Sequence, residues 1–190
     1  QAASAILRDH PGISIDWKLD DGAIRFAEEG CDCWVKVGPV PDDTLIVREL
    51  ARVERLVVGT PDCLRGHHIA TPKDLSSLPW LTLGPFEGNR IELFDKAGQP
   101  HSFAVQPKFA SDSIFAVRET LLQGLGIAIM PRWFIASQLC DGTLVEALPH
   151  ARAAELAVNL AIASGTKRPA RVEQFCEALE GWLSENLTVF

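Results

Sequence analysis

Histidine and cysteine are the side chains best suited to metal or nucleophilic chemistry near neutral pH, and this chain carries five of each. The histidines are scattered. His10 stands before a Pro-Gly stop, His67 and His68 follow a helix end, His101 lies in a hairpin and His150 in a loop. A general base needs a nucleophile and an orienting acid within hydrogen-bond reach, and no HExxH, GxSxG or phosphate-cradling glycine run supplies one. Cys31 and Cys33 form a C-x-C pair without a second cluster, which does not make a zinc site; their alternation with Val35 and Val37 reads as one face of a strand. GLGIAIMP, residues 124–131, lacks the third glycine and the spacing of a dinucleotide fingerprint. The chain is therefore read as a non-enzyme with no catalytic residue, metal or cofactor. What remains is binding. Ser111, Asp112 and Ser113 precede a helix, whose free first-turn amides and dipole attract an anion; equally, a serine there caps its own helix, and the Asp112 carboxylate competes for the same amides.

The elements that must hold such a site follow from periodicity. Ala2, Ala5 and Ile6 end a helix at Pro11-Gly12, a strand runs through Ile13, Ile15 and Trp17, and a short helix carries Ala23, Ile24, Phe26 and Ala27 before the strand CDCWVKV. This helix-strand-helix-strand rhythm favours a parallel sheet covered by helices. LIVREL (45–50) and RLVVGT (55–60) are two short strands, and TPKDL starts a helix with Thr71 as cap, Pro72 at N1 and Asp74 at N3. WLTLG is a strand, and residues 91–105 form two more around a turn at Lys96 to Gly98. A helix with Ile114, Ala116, Val117, Leu121 and Leu122 runs into Gly124 and Gly126, Ile127 to Met130 form a buried parallel strand, and Pro131 ends it. FIASQL is a short helix; TLVEAL and LAVNLAIAS are strands. The last helix aligns Val172, Phe175, Cys176, Leu179, Trp182 and Leu183 on one face.

Composition excludes several classes. The chain has 190 residues, 47% of them hydrophobic, enough for one sizeable domain or two small lobes. Its formal charge is -7 and no basic cluster runs far, so it is a poor DNA binder by itself. Every apolar stretch is broken before the ~20 residues that span a bilayer, and the first residues hold no basic-then-apolar leader, so no membrane partner is expected. Odd cysteines without a framework favour a reduced, cytoplasmic setting. With no long linker between domains, a second lobe must be inserted into the first: residues 1–58 with 157–190 as one lobe, 59–156 as the insert.

The series HPGISIDWKLDDGAIRFAEEGCDCWVKVG, VRELARVERLVVGTPDCLRGH, TPKDLSSLPWL, ASDSIFAVRETLLQGLGIAIMP and DGTLVEALP, in this order and spacing, resembles the C-terminal effector-binding domain of LysR-type transcriptional regulators across nearly the whole chain. The resemblance implies an α/β fold of two Rossmann-like lobes joined by two crossover strands, like a periplasmic solute-binding protein, with a small-molecule effector, acidic or aromatic, in the cleft. It implies a homodimer or homotetramer, with the Ala23 to Glu29 helix and the Ile114 to Leu122 helix as interface candidates, and promoter DNA bound through a winged helix-turn-helix that this sequence lacks, together with a first strand.

Carried onto this sequence, the resemblance makes Ala110, Ser111, Asp112 and Ser113 one effector wall, a loop of small and polar residues. The strand end Lys36, Val37 and Gly38 would form the opposite wall, although Lys36 alternates away from Val35 and Val37 and reads equally as solvent-facing. Thr82, Leu83 and Gly84 are a third contact. Met130 and Pro131 stand where the second lobe meets the ligand, and Met130 fits ordinary core as well. Phe86 and Arg90 add an aromatic surface and a positive charge. Two other readings stay open: a free-standing solute-binding protein of a transporter, and a regulator domain whose vestigial cleft serves only dimerisation.

Overall fold

A computed structural model of the chain describes residues 2–19, 26–164 and 169–187. The first elements are helices α1 (Ala2–Asp9) and α2 (Phe26–Glu29), strands β1 (Trp34–Val37) and β2 (Leu45–Gly59), and helix α3 (Pro61–Leu64). Strands β3 (Trp80–Leu83), β4 (Arg90–Asp95), β5 (Pro100–Ala104) and β6 (Pro107–Ser111) lead to helix α4 (Ile114–Leu122) and strand β7 (Ile127–Pro131). Helix α5 (Ala136–Cys140), strands β8 (Val145–Glu146) and β9 (Ala151–Ala163) and helix α6 (Ala170–Leu187) complete the order, with 3-10 turns at Pro72–Ser77 and Arg132–Ile135. The chain divides into two compact units: residues 1–53 with 156–190, and residues 54–155. Strands β2 and β9 each begin in one unit and end in the other.

In the first unit, β1 pairs antiparallel with β9, from Trp34 opposite Ala161 to Val37 opposite Val158. The 3.6-residue period of α6 buries Val172, Cys176, Leu179 and Leu183 against Leu160 and Ile162 of β9 and Ile6 of α1, with Phe175 and Trp182 partly covered beside them. The β1–β9 pairing is antiparallel where the helix-strand rhythm favours a parallel one. Residues 13–19 alternate apolar and polar but form no strand, and Trp17 is 48% exposed. Alternation fits a half-buried strand, yet a strand also needs a neighbour to complete its hydrogen bonds. The helix read at Ala23 to Ala27 is described only over Phe26–Glu29; residues 20–25 lie outside those described.

In the second unit the sheet is mixed. β3 lies parallel to both β6 and β7, and β7 runs antiparallel to β2 with Arg55 opposite Pro131 and Gly59 opposite Ile127. β5, β4 and β9 form a second, antiparallel ladder. Alternate residues feed two separate cores: Val57, Trp80, Ile127 and Ile129 enter one, while Leu56, Val58, Leu81, Ala128 and Met130 enter the other with Val117 and Leu121 of α4. Both faces are therefore covered, which is why these strands are continuous apolar runs.

The glycines of GLGIAIMP have distinct tasks. Gly124 takes φ +70 to leave α4, where an L side chain is strained. Gly126 passes so close to the Pro79 carbonyl that a Cβ would meet its oxygen at 2.4 Å. That oxygen accepts the Ile127 amide at 2.8 Å and starts β7 beside β3.

Other expectations need correction. LIVREL and RLVVGT are one 15-residue strand, since Ala51 to Glu54 contains no glycine or proline to break the ladder. Pro72–Ser77 is a 3-10 turn and not an α-helix, but Thr71 stands at its N-cap, Pro72 at N1 and Asp74 at N3 as expected, with Asp74 Oδ2 accepting from the amides of Ala70 and Thr71 and from the Thr71 hydroxyl. TLVEAL is a strand only at Val145 and Glu146. Ala110 and Ser111 belong to β6, not to a loop, because β3 offers them a parallel partner.

Candidate functional site

Within the second unit, strand pairing brings most of the predicted contacts together. Thr82 lies opposite Ala110 and Leu83 opposite Ser111, and the Gly84 amide donates to the Ser111 carbonyl at 2.9 Å. Met130 and Pro131 end the neighbouring β7. The carboxyl ends of three adjacent parallel strands thus carry Thr82 to Gly84, Ala110 to Ser113 and Met130 to Pro131, the edge at which open α/β sheets receive ligands. Lys36, Val37 and Gly38 belong to the other unit.

The side chains have unequal freedom. Ser113 caps α4, its Oγ accepting the Ala116 amide at 3.4 Å, while the Ser111 Oγ accepts the Ser113 amide at 3.0 Å. Both serines are therefore engaged by the helix start, and Asp112 between them is exposed. Met130 is fully buried in the core. Thr82 is 1% exposed, and its hydroxyl has no hydrogen-bond partner among the described residues. A buried hydroxyl without a partner costs roughly 1–3 kcal/mol, which sets Thr82 apart from the serines at this strand end.

After β3 the chain turns tightly, with the amides of Phe86 and Glu87 donating to the Leu83 carbonyl. This turn contains the acid that sequence reasoning missed. Glu87 accepts the Leu83 amide at 2.9 Å through one oxygen and the Arg55 guanidinium through the other. Arg55 also lies 5.6 Å from the centroid of Phe86, so this aromatic ring is already occupied by an internal cation. Burial pushes the Glu87 carboxyl above its ordinary value although Arg55 and the Leu83 amide oppose it, and burial lowers Arg55 in turn. Arg90 is exposed and opens β4. The signal for Arg55 is its phase, a charge two residues from both Val53 and Val57 and so on the same face of the strand; Glu87 gives none.

The same unit holds a closed ring of alternating charges. Arg132 reaches Glu54 at 2.5 Å and Glu146 at 3.1 Å, and Arg152 reaches each acid at 3.0 Å. In the first unit, Lys36 Nζ sits 5.0 Å from the Trp34 ring centroid, Val37 is 40% exposed and Gly38 is buried at φ +89. Asn159, a buried polar residue in the apolar run LAVNLAIA, donates its amide to the Gly38 carbonyl at 2.8 Å. An open groove of about 410 Å³ between β2 and α6 is lined by Arg48, Glu49, Leu50, Glu177, Glu180, Gly181 and Ser184, none of them a predicted contact. Among the described residues no three His, Cys, Asp or Glu side chains converge as metal ligands, and no helix is long and apolar enough to cross a membrane.

Residues 1–184 match the family described as the LysR substrate binding domain. The chain belongs to this family. Its fold is accordingly the α/β, periplasmic-binding-protein-like one, and as a LysR substrate-binding domain it is an effector-binding, regulatory domain of the LysR type. It is similar to the Escherichia coli K12 proteins YhjC, an uncharacterized HTH-type transcriptional regulator (29% identical over 191 residues, 97% of this chain and 62% of that protein), and DmlR, an HTH-type transcriptional regulator (29% over 156 residues, 78% and 49%). The chain thus spans less than two thirds of these relatives. Among solved structures, full-length AphB of Vibrio cholerae, a virulence activator, shares its fold with a TM-score of 0.83 at 21% identity, over 95% of this chain and 62% of that one. The regulatory domain of CrgA from Neisseria meningitidis does so at 0.81 and 21%, over 95% and 89%.

Proposed function

We propose that this LysR substrate-binding domain binds a small acidic or aromatic effector against the strand-end wall of its second unit, and that the whole protein is a cytoplasmic, oligomeric regulator that binds promoter DNA through a separate domain. The observation that carries this reading is the unpartnered, buried Thr82 hydroxyl at the carboxyl ends of neighbouring parallel strands. Gly84, Ser111 and Ser113 supply small surfaces and a helix start beside it, and Phe86 with Arg90 borders the wall. In the first unit, Lys36 to Gly38 are kept as proposed effector contacts, with the Gly38 carbonyl held by Asn159. Oligomerisation is proposed through α4, where Phe115 is 54% exposed and packs edge-on against Phe134 at 5.2 Å. Trp133, 47% exposed, and Arg118, 4.6 Å from the Phe134 centroid, extend that patch.

Native mass spectrometry before and after mild denaturation and refolding tests the reading. A dimer or tetramer carrying a releasable small molecule is expected, and Ser113→Ala should reduce its occupancy several-fold with the unit still folded. A protein that oligomerises but gains no mass from the cell or from a panel of aromatic and aliphatic carboxylates would support the second reading, a domain used only for assembly, which the exposed α4 patch favours.

A further inference from the structure

The Arg55 guanidinium connects three segments of the second unit. It donates to Glu87 in the turn after β3 and to the Ala154 carbonyl of β9 at 3.3 Å, while its own backbone lies in β2. Glu87 carries the connection onward by accepting the Leu83 amide at 2.9 Å. The Arg55 and Glu87 side chains are only 9% and 5% exposed. A charge pair so buried is screened little by salt, and separating it would leave two uncompensated charges in the interior. Displacement of the turn must therefore drag Arg55 with it. A second tie lies one residue earlier on β2, where Glu54 receives Arg152 of β9 at 3.0 Å. Both polar ties join the two strands that run out of this unit.

We infer that Arg55 and Glu87 are positioning residues that couple the turn after β3 to strands β2 and β9, so that a ligand seated against the turn is registered at both strands leaving the unit. This rests on the turn being part of the effector wall, as proposed above. A staple serving stability alone would behave differently from a coupling element. Loss of a staple loosens its surroundings without direction, whereas loss of a coupling element loosens the two ends it joins and spares the rest of the same unit.

Hydrogen exchange followed by mass spectrometry distinguishes them, using the whole chain and its Glu87→Gln and Arg55→Lys variants. Glu87→Gln should speed exchange about 10-fold or more both at residues 83–90 and in the strand segments 54–59 and 151–155, while α4 and α5 change less than about two-fold. Arg55→Lys retains the charge for Glu87 but lacks the planar fork that reaches Ala154 as well. It should restore protection of the turn and leave 151–155 exchanging faster than in the wild type. An effect of Glu87→Gln confined to residues 83–90 overturns the coupling, as does an equal rise across α4 and α5 in both variants. The effector reading fails separately: directed exchange changes in a protein that never carries a small molecule would refute the ligand wall and leave the coupling standing, whereas a bound molecule with undirected exchange would refute the coupling alone.

Discussion

Replacing Gly126 by alanine puts a methyl group 2.4 Å from the Pro79 carbonyl oxygen and 3.1 Å from Leu81 Cγ. Non-bonded heavy atoms settle near ~3.5 Å, so the carbonyl must withdraw by about 1 Å or the two strands must part. The oxygen now accepts the Ile127 amide at 2.8 Å, and that withdrawal takes it past the ~3.5 Å at which a hydrogen bond is lost. Leaving a buried amide unpaired costs about 1–3 kcal/mol and the overpacking about 1–3 kcal/mol, giving roughly 2–6 kcal/mol in all. In a chain of 190 residues this corresponds to a fall of about 4–24 °C in the melting temperature. Differential scanning calorimetry measures it, with Gly12→Ala, whose new methyl meets nothing within 4 Å, as control. A Gly126→Ala protein melting within about 1 °C of the wild type would refute the claim that this close approach sets β7 beside β3.

Thr82→Val keeps the shape and deletes the unpartnered hydroxyl, so it should stabilise the second unit by about 1–2 kcal/mol in urea unfolding while weakening effector occupancy; a loss of stability would mean that the hydroxyl is already satisfied. The acid response should have two signs. Glu87, raised by burial, favours the fold fully below the ordinary glutamate range, an advantage lost as pH rises through its raised value. Asp95, lowered first by its hydrogen bond from His101, and Asp74, lowered by the amides of Thr71 and Ala70, favour the fold above the ordinary aspartate range and lose that effect as pH falls through their lowered values. Urea midpoints against pH should therefore lose their decline above about pH 4.5 in Glu87→Gln and their acid-side fall in Asp95→Asn. A Glu87→Gln profile parallel to the wild type would remove Glu87 as the source.

The sequence announces elements whose partners do not matter to their signal. The α6 face and the apolar run of β7 are visible because burial imposes a period on one helix or fills one strand from both sides. Pairing is less visible. Ile13 to Leu19 has the alternation of a strand without a ladder, whereas PKFAS, with a proline first and a lysine second, becomes β6 because β3 lies parallel beside it. The wall of the candidate site was legible in outline, since strands ending in glycine, serine or proline mark where chains leave a sheet. Its inner organisation was not, because Arg55 and Glu87 are 32 positions apart and meet only through the order of β2, β7 and β3. Asn159 was within reach of inspection: a lone amide in LAVNLAIA has to find a partner, and it finds Gly38.

The division of the chain sets an order of assembly during synthesis. Residues 54–155 form one uninterrupted stretch and can fold as soon as they leave the ribosome. The other unit is built from both ends, and Ile6 of α1 waits for Val172, Cys176, Leu179 and Leu183 of α6. At about 5–20 residues per second that wait is roughly 10–30 s. Throughout it, the Ile6 side of α1 has only Ile13, Cys33, Val35 and Leu50 of its own unit available as cover, and the nascent chain carries a finished domain and an unfinished one. Chaperone demand and early proteolysis should concentrate on α1.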